Sequence, residues 1–269
     1  MGRKVVETND LVFVDLSHYV FQRYYAIQRW CKFSGKTFET DEEMLEMFSR
    51  MFETSLVAMK KKLKFAWKNL YLIQDCPREN IWRMKLYPDY KQNRLDKSET
   101  GFNPIVFVET YKTIAPRMIK DYGIHMYGYD GAEADDVIAI LHGHIRATQP
   151  DQGVIVITND NDYLQLKDHA TTLLNSNLKD ISERYDQDTL DHFGLWKAIR
   201  GDDSDNIPAI DKKIGDKVAL RLALNPELLQ ERLAGNAQVR AQFELNQTLI
   251  MFERIPSAIK EGVIEAWKK

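Results

Sequence analysis

Three short apolar runs in this chain of 269 residues end in an acid: "LVFVD" at Asp15, "LYLIQD" at Asp75 and "VIVITND" at Asp160. Each is a stretch of Val, Ile, Leu and aromatics without polar alternation, the pattern of a strand buried on both faces. "GIHMYG" at 123–128 predicts another short strand. Between these runs, apolar positions recur at helical spacing over roughly 17–30, 41–66, 104–121 and 132–147. Strands alternating with helices predict an α/β fold whose mainly parallel sheet is covered on both faces. In such sheets the functional crevice lies beyond the carboxyl ends of the strands. Asp15, Asp75 and Asp160 fall there, with Asp162 two residues further on. The last third reads as helices at 188–200, 216–223, 226–234, 237–253 and 257–268.

The segment "GAEADDVIAIL" puts Glu133, Asp135 and Asp136 directly before an apolar helix. Two carboxylates about 5 Å apart repel by roughly 3 kcal/mol at an effective dielectric near 20. A first-turn acid recovers only about 0.3–1 kcal/mol from the helix dipole. Capping explains each acid taken singly, but not why all converge on one rim. Glu133 and Asp136 share a helix face at i, i+3, and Asp202 and Asp205 in "RGDDSDNIPAI" repeat that spacing. Clustered carboxylates carried by several strands suit a pair of Mg²⁺ or Mn²⁺ ions.

Charge sharpens this picture. The net charge of −3 hides a basic stretch from Lys60 to Lys97, with eleven Lys or Arg against four acids. A basic segment facing an acidic centre points to a polyanion held beside bound cations. No apolar run is long enough to span a bilayer, and "MGRKVVETND" lacks a signal-peptide core. Cys31 and Cys76 have neither metal nor disulfide spacing, so a cytoplasmic enzyme or binding protein is expected. The six histidines share no motif and read as structural, and Trp67, Trp82 and Tyr87 read as packing residues.

With these residues assembled, the sequence resembles the 5′-nuclease superfamily, which includes the 5′-3′ exonuclease domain of bacterial DNA polymerase I, flap endonucleases and phage exonucleases with RNase H activity. "GAEADDVIAIL", "ITNDNDYLQL" and "GDDSDNIPAI" resemble its Gly-x-Glu-Ala-Asp-Asp, Thr-x-Asp-x-Asp and Gly-Asp-x-x-Asp-Asn-Ile-Pro blocks. "DCPRENIWRMKLYPDYKQNR" resembles the segment that places Asp75, Arg83, Tyr90, Lys91 and Arg94 in order. The blocks cover residues 12 to about 224.

The resemblance implies a PIN-like nuclease core over 1–185, with a helical gateway around 76–103. It also implies a duplex-binding helical region over 186–269 that carries a helix–two-turn–helix motif. Asp15, Asp75, Glu133, Asp135, Asp136, Asp160, Asp162, Asp202 and Asp205 would form the two-metal centre. Lys91 and Arg94 would meet the scissile phosphate, Arg83 would stand among the catalytic groups, and Tyr90 would stack on a base. The implied substrate is DNA with 5′ ends, flaps or nicks, and the RNA of RNA–DNA hybrids, in replication or repair. The implied protein is a monomer with replication proteins as partners. In one place the chain departs from the family. Relatives carry a Gly-x-x-Gly-x-Gly-like turn that holds K⁺ and a duplex phosphate. Here "AIDKKIGDKVAL" has Gly215 alone, followed by Asp216. Lys212, Lys213 and Lys217 are the remaining candidates for phosphate contact.

Two other readings compete. A Mg²⁺-dependent aspartyl phosphatase would need an Asp-x-Asp start, which "FVDLS" lacks. A non-catalytic binder of branched nucleic acid would have lost carboxylates, and none of the family's acids is missing.

Overall fold

The computed structural model describes residues 7–94 and 102–268. Strands β1 Leu11–Asp15, β2 Leu70–Ile73, β3 His125–Tyr127, β4 Val154–Ile157 and β5 Thr171–Leu174 form one sheet in the order β3-β2-β1-β4-β5. Every pairing is parallel. The chain builds outward from β1 in both directions, so the order reverses between β1 and β4 and leaves a crevice at their carboxyl ends. The sequence pattern does not predict β5: two of its four residues are threonines, and it lies at the sheet edge, fixed by pairing Val154 to Thr171 and Ile157 to Leu174.

The strand period of two divides the core. Val12 and Val14 enter one cluster with Leu70 and Leu72, while Phe13 and Ile73 enter the other. Helices α1 Leu16–Ser34, α2 Asp41–Leu63, α3 Trp82–Leu86, α4 Ile105–Glu109, α5 Ala115–Tyr122 and α6 Ala134–Thr148 follow in the first two-thirds of the chain. Phe48, Phe52 and Leu56 of α2 fill the first cluster. Val137, Ile138 and Leu141 of α6 fill the second. Helix α2 stops before 66 because Lys64 turns left-handed at φ 63°. The predicted 104–121 helix is interrupted by a π-turn at Thr110–Ile114.

Helices α7 Gln187–Asp191, α8 Phe193–Arg200, α9 Asp216–Ala223, α10 Pro226–Ala234, α11 Ala237–Ile250 and α12 Ser257–Trp267 complete the described chain. Ala198, Ile199, Ala219, Leu222, Leu229 and Phe243 form a separate apolar cluster among α8–α11. Helix α12 behaves differently. Val263 joins the α6 cluster, and the Trp267 ring lies 6.1 Å from Phe13 and 4.6 Å from Tyr71. The last helix thus packs beside α6 on the Phe13 face of the sheet. Among the described residues no helix is long and apolar enough to cross a membrane.

One turn positions two of the nine acids. Asp202 and Ile207 exchange both backbone hydrogen bonds, at 2.7 and 2.8 Å, closing "DDSDNI" into a tight loop. Gly201 enters it at φ 80°, ψ −179°, and a Cβ there would lie 2.5 Å from the Ile207 carbonyl oxygen. We expect Gly201→Ala to cost roughly 3 kcal/mol of unfolding free energy, because that backbone region admits essentially only glycine. Gly235→Ala, where φ is −75°, should shift stability by less than about 1 kcal/mol. Urea unfolding of the two variants measures both.

Candidate metal centre

Strands β1, β2 and β4 are each followed at the crevice by an acid that accepts a backbone amide at the start of a helical element. Asp15 closes β1 and caps α1, accepting the His18 amide at 3.0 Å, while the Tyr163 hydroxyl donates to its other oxygen at 3.1 Å. Asp75, two residues past β2, accepts the amide of Ala134 at 2.7 Å, an N–H that the first turn of α6 would otherwise leave unmade. Asp160, three residues past β4, accepts the Asp162 amide at 2.9 Å. Glu133 is the N-cap of α6. The capping and metal readings of these acids thus describe the same placements.

The carboxylates gather in two groups, Glu133–Asp135–Asp136 and Asp162–Asp202–Asp205, each offering oxygens within 4.8 Å of one another. A cleft of about 300 Å³ is lined by Asp15, Asp75, Glu133, Asp135, Asp160 and Lys91. Burial, reinforced by Asp75 and Asp160, pushes Asp15 up to about 7. Burial and the Asp136 charge raise Asp135 as well. Asp162 is likewise pushed up to about 7: burial and the charges of Asp160, Asp202 and Asp205 outweigh Lys197. Burial first, and then the crowding of like charges, favours the protonated form of these three acids, and the all-oxygen donor set fits hard divalent cations.

Glu133 and Asp202 go the other way: Lys197 and Ser204 lower Asp202 against its burial. Burial would raise Glu133, yet Lys91 at 2.6 Å and Arg83 at 3.0 Å hold it at about 2. Arg83 is only 2 % exposed. It grips Asp136 through two nitrogens at 2.7 and 2.8 Å and donates its Nε to the Leu249 carbonyl at 2.7 Å. Trp82 Nε1 and the Glu133 amide also donate to Asp136, at 2.8 and 3.2 Å. Both oxygens of Asp136 thus accept hydrogen bonds and the carboxylate is the counter-ion of Arg83, while its oxygens still lie within the first carboxylate group beside Glu133 and Asp135. Arg83 itself does not line the cleft, because its guanidinium is held between these acids and the Leu249 carbonyl.

Tyr90 departs from expectation in the same way. It is 2 % exposed and its ring packs with Ile81, Ile207 and Leu249, so it offers no platform to a base. Its hydroxyl instead donates to Glu133 and Asp205, at 2.9 and 3.1 Å. Lys91 does reach the cleft, at left-handed φ 55°, with Nζ 3.6 Å from Asp205. The side chain of Arg94 lies outside the described residues. Lys212, Lys213 and Lys217 are exposed on the α8–α9 connection and α9, and none of them lines the acid cleft.

Lys197 is the functional residue that the motifs missed. Its buried ammonium contacts Asp162 and, at 2.8 Å, Asp202, and stands as a cation inside the second carboxylate group. Burial opposes its charge, but these acids keep it protonated. Helical spacing carried the signal: Lys197 falls four residues after Phe193, on the buried stripe of α8, where a lysine needs a partner.

The Tyr87–Asn93 segment is latched to the Gly201–Asn206 turn. Tyr87 donates to the Asn206 carbonyl at 2.9 Å, Asn206 to the Asp89 carbonyl at 2.8 Å and Asn93 to the Asp203 carbonyl at 2.6 Å. The Lys91 amide donates to the Asp205 carbonyl at 2.9 Å.

The model of the 5′-3′ exonuclease N-terminal resolvase-like domain matches residues 10–194. This chain belongs to that family. A 5′-3′ exonuclease of Buchnera aphidicola is 28 % identical over 223 residues, 81 % of this chain and 71 % of that one. DNA polymerase I of Chloroflexus aurantiacus is 31 % identical over 153 residues, 52 % of this chain but only 15 % of the polymerase. Among solved structures, a bacteriophage T5 flap endonuclease in complex with DNA and metal ions aligns with a TM-score of 0.68 at 16 % identity, over 97 % of this chain and 100 % of that one. The T5 5′-exonuclease with bound zinc gives 0.67 at 16 %, over 96 % and 97 %. The α/β architecture is the fold of these phage enzymes.

The raised acids make metal binding depend on pH. Asp15 and Asp162 start from 3.8 and move to about 7 in the fold. Without a divalent ion, their contribution to stability is complete below about pH 4 and is lost as pH rises to about 7. A bound cation cancels that loss. Mn²⁺ or Mg²⁺ should therefore raise the melting temperature more at pH 8 than at pH 5, measured against EDTA at each pH. An equal rise at both would contradict the shifts.

Proposed function

We propose that this family member is a structure-specific 5′ nuclease acting on DNA with 5′ ends, flaps or nicks, with RNA of RNA–DNA hybrids as a further substrate. One observation carries the reading: two carboxylate groups converge beside the Lys91 ammonium at the switch point of a parallel sheet. Asp15, Asp75, Glu133, Asp135, Asp136, Asp160, Asp162, Asp202 and Asp205 would hold two Mg²⁺ or Mn²⁺ ions. When bound, these ions would activate the attacking water and stabilise the leaving 3′-oxygen.

The chain's own residues divide the remaining work. Lys91, fixed by Glu133 and by its backbone bond to Asp205, is preorganised to offset charge growing on the nonbridging oxygens. Arg94 would join it from the gateway. Lys197 balances Asp162 and Asp202. Lys212, Lys213 and Lys217 would meet the duplex backbone electrostatically, without the glycine turn that holds K⁺ in relatives. The protein would act as a monomer among replication proteins. Neither a phosphatase nor a non-catalytic binder accounts for a full set of acids beside a lysine that reaches the cleft.

Product mapping on 5′-labelled flap, nick and hybrid substrates with Mg²⁺ tests the reading, and cleavage persisting in excess EDTA would overturn it. Within the "GDDSD" loop, Asp205→Asn should slow single-turnover cleavage by about 10²–10³-fold. Asp202→Asn should impair cleavage less and shift the metal requirement. Asp203→Asn should cut almost normally, because that side chain is exposed and only its carbonyl is used.

Lys91→Ala should lower the single-turnover rate far more than it weakens flap binding. Lys61→Ala should weaken binding modestly and lose its effect at high salt. Binding isotherms and single-turnover rates at two salt concentrations separate the roles. Like behaviour of both variants would overturn the assignment.

A further inference from the structure

Arg78 is carried by a rigid mount. It follows β2 in "CPREN", where Pro77 takes φ −52° and Arg78–Asn80 closes a single 3₁₀ turn. The Cys76 and Trp82 amides donate to the Ala132 and Gly131 carbonyls at 3.1 and 3.0 Å, and Asn80 donates to Asp130 at 2.7 Å. Both ends of the turn are thus tied to the loop that leads into α6.

From this mount the half-buried Arg78 side chain donates Nη2 to the Tyr90 carbonyl at 3.0 Å. The same peptide group gives its other polar end, the Lys91 amide, to the Asp205 carbonyl at 2.9 Å. Among the described residues, Arg78 and Lys91 are the two cations that line the acid cleft. Their commitments differ. Lys91 lies 2.6 Å from Glu133 and 3.6 Å from Asp205, and the buried cations Arg83 and Lys197 are paired with acids as well. Arg78 makes no ion pair with any described carboxylate, and its one side-chain bond goes to a neutral carbonyl. Besides bound metal ions, a polyanion entering a cleft floored by carboxylates needs a cation that those carboxylates have not taken. A guanidinium steadied through one nitrogen still offers most of its fork, which matches two oxygens of a phosphate.

We propose that Arg78 grips a backbone phosphate of the nucleic acid substrate inside the metal cleft, oriented for that grip by its bond to the Tyr90 carbonyl. The assignment rests on the nuclease reading. The two cleft cations then divide their work. Lys91 meets charge that develops during the reaction, whereas Arg78 meets charge that the substrate carries throughout.

Flap DNA binding in Ca²⁺ over a range of salt, and single-turnover cleavage in Mg²⁺, test this with Arg78→Met and Arg78→Lys. Arg78→Met should weaken flap binding by about ten- to a hundredfold. It should also lower the slope of log affinity against log salt by about 0.7–0.9, the share of one phosphate contact. Arg78→Lys keeps the charge but not the fork, so it should retain the slope and recover only part of the affinity. The cleavage rate at saturating enzyme should fall less than binding does. Methylphosphonates placed singly around the cut locate the contact. Neutralising the gripped phosphate should cost the wild type about as much as Arg78→Met does, and should cost that variant little more. Where Arg78→Met does not fold, Arg78→Lys carries the same comparison, with a reduced penalty at that one phosphate. A slowed saturated rate beside an unchanged salt slope would make Arg78 a mere support for Lys91 and overturn the grip, as would full additivity at every phosphate. A wild type that binds and cuts while Arg78→Met matches it overturns the grip alone. A wild type that neither binds nor cuts overturns the nuclease reading and the grip together.

Discussion

The buried guanidinium of Arg83 joins three distant parts of the chain. It pairs with Asp136 and Glu133 at the start of α6, sits within α3 beside the gateway, and donates to Leu249 near the end of α11. Deleting one partner of such a buried pair typically costs about 3–5 kcal/mol, because the other charge is stranded. The interaction also sorts the acids. Asp136 and Glu133 pair with cations of the protein itself, whereas burial and neighbouring carboxylates push Asp15, Asp135 and Asp162 up. The first kind maintains the shape of the centre and the second kind creates its demand for cations.

Much of this was legible in the sequence, for identifiable reasons. The strand-end acids at 15, 75 and 160 stood out because strands buried on both faces read as unbroken apolar runs, and the first polar residue marks the rim. The acids of "GAEADD" and "GDDSD" could be grouped because helical spacing brings i and i+3 together. The edge strand β5 was not legible, because Thr171 and Thr172 take their conformation from pairing with β4 rather than from an apolar pattern. The return of α12 to the sheet was not legible either. It depends on Trp267 meeting Phe13 and Tyr71, about two hundred positions or more away in the chain.

Charged and aromatic residues next to the motifs were read least well. Arg83 and Tyr90 lie in a segment that meets nucleic acid in the resembled family, and proximity in sequence suggested contact with substrate. Packing decided otherwise: α3 and the Tyr90 turn bury both side chains against Ile81, Leu249 and Ile250, and direct their polar ends into the acids. Lys197 shows the reverse case. It belongs to no motif, yet a lysine on the apolar stripe of a helix can be accommodated only by carboxylates, and two were near.

The latch between the Tyr87–Asn93 segment and the 201–206 turn is accepted entirely by main-chain carbonyls, those of Asp89, Asp203, Asp205 and Asn206. A carbonyl oxygen is the same whatever side chain its residue bears. The accepting half of the join is therefore indifferent to mutation, and only the donors Tyr87, Asn93 and Asn206 carry information in their identity. Residues 89 and 203 are free to drift without loosening the Tyr87–Asn93 segment from the 201–206 turn. Such joins let a lineage keep two segments in register while most of their side chains are replaced.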